Sequence, residues 1–66
     1  MSALFETLPI PLEAQIACVE REIAMRLSAY PRFVQEHRMR QAKADHEIAA
    51  MRAVLTTLKS IKENAE

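Results

Sequence analysis

Few side chains in this sequence could carry out chemistry. Cys18 is the single cysteine, and His37 and His46 are the two imidazoles. A cysteine nucleophile needs an imidazole within hydrogen-bond reach to take its proton. Cys18 falls in the first helical stretch, whereas both histidines lie at or beyond the point where the chain reverses, so no such pair is expected. Zinc would need cysteine and histidine at short recurring spacings, and none occurs. Glu20/Glu22 and Asp45/Glu47 are carboxylates two apart on helices, where such pairs point away from each other. They read as solvated charges, and His46, opposite the apolar seam of its helix, as a surface histidine. Glycine is absent, which removes the loops that cradle phosphate. The expectation is a protein that is not an enzyme, with no metal, no cofactor and no small-molecule substrate.

What remains is binding chemistry. Tyr30 and Phe33 are two of the three aromatics, and Arg32, Arg38, Arg40 and Lys43 lie around them. Aromatic and arginine side chains are the usual carriers of interface energy. Charge is balanced over the whole chain, nine basic against nine acidic, which argues against binding driven mainly by phosphate. The balance is uneven along its length: residues 1–25 are acidic, residues 26–43 are basic, and the remainder is close to neutral. Two readings of the basic, aromatic zone fit. Tyr30 and Phe33 could plug the end of a hairpin while the cations are merely solvated. Alternatively Tyr30, Arg32, Phe33, Arg38, Arg40 and Lys43 receive an acidic or phosphate-bearing partner.

The elements that must position these groups follow from periodicity. Half of the 66 residues are hydrophobic, and alanine, leucine, glutamate and arginine dominate, which is helix-forming composition. Residues 1–11 form an apolar arm with Leu4, Phe5, Leu8 and Ile10. Ser2 could cap one turn, and Pro9 and Pro11 hold their predecessors extended. The arm either folds back on its own chain or crosses to a second one. Leu12, Ile16, Val19, Ile23, Leu27 and Tyr30 recur at helical spacing and predict a first helix over residues 12–29. A second apolar line, Ala14, Cys18, Met25 and Ala29, runs down its opposite side. Pro31 is expected to end or kink that helix, leaving residues 30–39 as the connection, with the reversal around His37–Met39. A second helix is predicted over residues 40–63. Its seam is Ala44, Ile48, Met51, Leu55 and Leu58, widened by Ala50, Val54 and Ile61, and its last residues should fray.

The fold class expected is therefore all-α, one two-helix antiparallel hairpin in a single domain. Both helices carry more apolar face than one neighbour can cover. Below roughly 70–80 residues a single core seldom supplies more than about 3–5 kcal/mol, and nature adds disulfides, metals or further copies. One cysteine leaves the last, so a homodimer closing a four-helix bundle is expected. Leu12, Ile16, Val19, Ile23, Leu27, Ile48, Met51, Val54, Leu55, Leu58 and Ile61 would form its core and interface. Neither a signal peptide nor a run of ~18–20 apolar residues is visible, and a lone cysteine suits the cytoplasm.

From Glu20 to Lys59 the chain resembles small helical-hairpin proteins of transposable, Mu-like phages and prophages. The resemblance is carried by Arg21-Glu22-Ile23, by Tyr30-Pro31-Arg32, and by Ala42-Lys43-Ala44-Asp45 leading into Glu47-Ile48-Ala49. The tip departs from that pattern, which would place a glycine near His37 and a serine or threonine cap near Arg40. Small all-helical phage proteins of this kind include an anti-quorum-sensing protein that binds and disables host regulators. The resemblance implies an inhibitor of a host protein, such as a transcriptional activator. Two other functions are open on the residues alone: a nucleic-acid-binding regulator using the basic tip, and an assembly adaptor.

Overall fold

The structure, a computed structural model, describes residues 9–65. The arm residues Leu4, Phe5 and Leu8, with the turn expected at Ser2, lie outside the described residues, as does Glu66. The described residues form two helices, α1 over Leu12–Gln35 and α2 over Gln41–Ala65. They pack against each other as a hairpin. Among the described residues no helix is long and apolar enough to cross a membrane.

The start of α1 follows from Pro11. Its backbone is extended (φ −59°, ψ 148°), and its carbonyl accepts the first helical bonds, from the Ala14 and Gln15 amides at 3.0 and 3.1 Å. Gln15 reaches back through Nε2 to the Ile10 carbonyl at 2.9 Å, which holds the entering chain against the first turn.

The expected end at Ala29 is not where α1 stops. The helix passes through Pro31 and continues to Gln35, so the connection is Glu36–Arg40 rather than residues 30–39. Proline removes one backbone donor, and the carbonyl left without it is that of Leu27. Pro31, Ser28 and Leu27 are all exposed, so water can reach that carbonyl, and the helix tolerates the loss. α2 begins one residue later than expected and runs to Ala65.

A Schellman closure replaces the proline stop. The Arg38 amide donates to the Phe33 carbonyl at 2.8 Å and the His37 amide to the Val34 carbonyl at 3.1 Å. His37 supplies the left-handed residue this motif needs, at φ 60°, in the place where a glycine is usual.

Burial between the helices is thin. Among the described residues, Ile16 and Ile23 on α1 and Ala44 on α2, the last 2% exposed, are the buried apolar ones. Leu12, Val19, Ile48, Met51, Leu55 and Leu58 are half-buried along the same seam. Leu27, Val54 and Ile61, expected in the apolar set, stay at 46%, 44% and 50% exposure. One hairpin does not cover them.

Contacts across the seam fix which sides of the two helices share a face. Arg26 meets Glu47. Residues seven apart share a helical line, so Val19 and Phe33 go with Arg26, and Val54 and Ile61 go with Glu47. On the other side Glu20 meets Lys59 at 3.6 Å, which places Leu27 and Arg52 on that face.

Candidate functional site

The tip joins the last two turns of α1 to the first turn of α2. Because α1 runs on through Pro31, Tyr30, Arg32 and Phe33 project from a helix rather than from a loop. The Tyr30 and Phe33 rings lie 6.3 Å apart, tilted by 36°. The Arg38 guanidinium sits over the Phe33 ring at 4.5 Å, and that of Arg32 at 5.7 Å. Such contacts add about 0.5–1 kcal/mol at exposed sites. Phe33 and Arg38 also occupy the two positions whose side chains usually touch in a Schellman closure. Their stacking is thus part of how α1 ends, and Arg38 further reaches Glu36 Oε1 at 3.4 Å.

Beside this cluster lies an open hollow of about 620 Å³ lined by Val34, His37, Arg38, Met39, Arg40 and Gln41. Arg40 stands at the mouth of α2, its carbonyl accepting from the Ala44 amide at 3.1 Å. The first turn of α2 contains no acidic residue, although the positive end of a helix dipole favours one. Among the described residues, Arg32 and Arg40 have no carboxylate within 4.0 Å.

The six residues expected to act together are divided by the structure. Arg32, Phe33 and Arg38 form one cluster, and Arg38 and Arg40 border the hollow. Tyr30 leans the other way, its ring 5.9 Å from the Arg26 guanidinium. Lys43 points along α2 to Glu47 Oε2 at 4.0 Å. His37, Met39 and Gln41 line the hollow without having been singled out by residue type, since their place there depends on the turn.

Arg26 was not expected to matter, and it is the main polar tie between the helices. Its Nε donates to Glu22 Oε1 at 2.8 Å and its Nη1 to the Glu47 carbonyl of α2 at 3.1 Å. The hydrogen bond that Arg26 donates to the Glu22 carboxylate raises the Arg26 pKa, against a desolvation that lowers it. The signal was Glu22 four residues before Arg26, the favourable spacing for an ion pair on a helix. Cys18 is exposed on α1. Among the described residues no group of three histidine, cysteine, aspartate or glutamate side chains could hold a metal ion.

No known protein family, curated protein or solved structure matches this chain. A functional reading therefore rests on the geometry of the tip and the faces of the hairpin.

Proposed function

We propose that the chain is a small, non-enzymatic protein-binding module of the cytoplasm, which pairs with a second copy into a four-helix bundle and holds an acidic surface of another protein at its tip. The resemblance to Mu-like phage hairpins makes that protein a host factor, such as a transcriptional regulator, kept from acting by the contact.

One observation carries this reading: the tip breaks local rules that the rest of the chain obeys. Pro31 stands inside a helix, His37 occupies a left-handed position, and Arg40 caps a helix whose first turn holds no acid. Each choice is unfavourable for the fold in isolation, and departures of this kind concentrate where residues serve binding. Together they present Arg32, Arg38 and Arg40 around an aromatic ring and an open hollow, the combination that anchors interfaces.

A nucleic-acid reading uses the same cations. Against it, Glu36 and Asp45 stand among them, and the chain carries no net charge. The test is capture from host lysate with the wild type and with the double variant Arg32→Glu, Arg40→Glu. That pair leaves the Phe33–Arg38 contact and the turn intact. Loss of a specific partner with unchanged helicity is the expected result, and undiminished capture overturns the tip as the site. A gel shift run alongside decides the rival, because phosphate binding weakens steeply as salt rises. Retardation of DNA by the wild type, abolished by the same substitutions, would replace the protein partner with nucleic acid.

A further inference from the structure

We infer that the second copy covers the face of the hairpin built around Cys18 and Val54, packing face to face about a two-fold axis, and leaves the Leu27–Arg52 face to solvent. This rests on the proposal above that the chain self-associates, and it specifies the surface that does so.

The need for a cover comes from the hairpin. Among the described residues its buried apolar side chains are two isoleucines and an alanine, and one cysteine cannot form a disulfide within the chain. A fold that depends on being covered needs its cover wherever the chain is made, and a second copy is always made with it. Balanced charge, nine acidic against nine basic residues, lets two copies meet without net repulsion.

The choice of face follows from what each would bury. On the Arg26 side, Ile10, Ala14, Cys18, Val19, Val54 and Leu58 line an open apolar groove of about 560 Å³. The one polar side chain there, Gln15, already donates to the Ile10 carbonyl. Ile61 continues the line of Val54 one heptad on, and both are exposed. Towards the tip the charges on this side are closed among themselves: Arg26 with Glu22 and Glu47, and Lys43 with Glu47. Arg21, one heptad beyond Ala14, has no carboxylate within 4.0 Å among the described residues, but it is exposed and is not part of the groove's lining. The groove itself can therefore be covered without stranding a charge, which would be the largest cost of burial.

The other side has a smaller hollow, about 460 Å³, where Leu27, Ile48 and Ala49 are bordered by Asp45 and Arg52. Arg52 has no carboxylate within 4.0 Å among the described residues, and the Glu20–Lys59 pair lies on the same side, both partners about half exposed. A second chain on this face would desolvate all of them. The first face is also shaped to fit itself. The short side chains of Ala14 and Cys18 leave room on α1 for Val54 and Ile10 of a copy turned through the two-fold, and an isologous interface needs that self-complementarity. Cys18 lies mid-patch, so the axis brings the two Cys18 thiols near each other.

Sedimentation equilibrium of the full chain, wild type against Val54→Asp and Ala49→Asp, tests the assignment. The wild type is expected at twice 7.5 kDa, Val54→Asp to dissociate at concentrations at least ten-fold higher, and Ala49→Asp to remain a dimer. Dissociation by Ala49→Asp but not by Val54→Asp overturns the face and leaves self-association standing. A wild type that is monomeric at every concentration overturns both. Since Val54→Asp could unfold the chain, a second measurement uses the unaltered protein. A short bis-maleimide should link Cys18 to its mate in high yield, and failure to do so in a chain that sediments as a dimer excludes the proposed axis.

Discussion

The shaft and the tip of this hairpin use the same residue types to opposite ends. Along the shaft, Arg26 is tied down: it spends its donors on Glu22 and on the main chain of α2 and holds the helices in register, while Arg21 and Arg52 stand exposed on the helix surface. At the tip, Arg32 and Arg40 have no carboxylate within ion-pair distance among the described residues, and they stand beside an aromatic ring and a hollow. In the shaft, isoleucine and alanine recur where a helical period puts them against the partner helix. At the tip, the proline, the left-handed histidine and the basic helix mouth all run against local preference. The lesson is that charge type alone does not mark a site. The mark is an unsatisfied charge that stands beside an aromatic ring or at an open hollow.

If that contrast is real, damage to the shaft should cost stability, and improvement of the tip should cost binding. The largest expected effect is at Ile23, 8% exposed at the middle of α1. Ile23→Ala should destabilise by roughly 2–5 kcal/mol, the range for truncating a buried isoleucine. Thermal melting followed by helical circular dichroism measures it, and an unshifted midpoint would mean the shaft is not held by this seam.

A smaller effect of opposite sign is expected at Arg40. Arg40→Ser supplies the side-chain acceptor that the mouth of α2 lacks, and should stabilise by about 1 kcal/mol. Partner capture should weaken in the same protein. Loss of stability instead would place Arg40 in the fold and erase the distinction between the regions.

The smallest effect belongs to His37. A non-glycine residue in the left-handed region costs about 1–2 kcal/mol, and the greater freedom of glycine in the unfolded chain returns part of that. His37→Gly should therefore raise stability by roughly 0.5–1 kcal/mol, read from denaturant midpoints. A decrease would show that the imidazole makes a contact that outweighs the backbone strain.

Much of this was present in the order of residues, and the reason is that helical periodicity is local. The seam from Leu12 through Ile16, Val19 and Ile23, and its counterpart from Ala44 through Ile48, Met51, Leu55 and Leu58, repeat at intervals a single helix dictates. Two such stripes joined by a short polar segment leave little choice but a hairpin. The residue types gathered at the tip were legible for the same reason. The tertiary structure decided what depends on two segments meeting. Whether Pro31 stops a helix depends on whether the carbonyl of Leu27 can be reached by water and on whether a later closure is available. The answer came from the exposure of that turn and from the left-handed His37. Whether Leu27 or Val19 is covered depends on the side from which α2 approaches, and contacts such as Arg26–Glu47 and Glu20–Lys59 reveal that side. Period sets how wide an apolar face is, and only packing sets which part of it another helix covers.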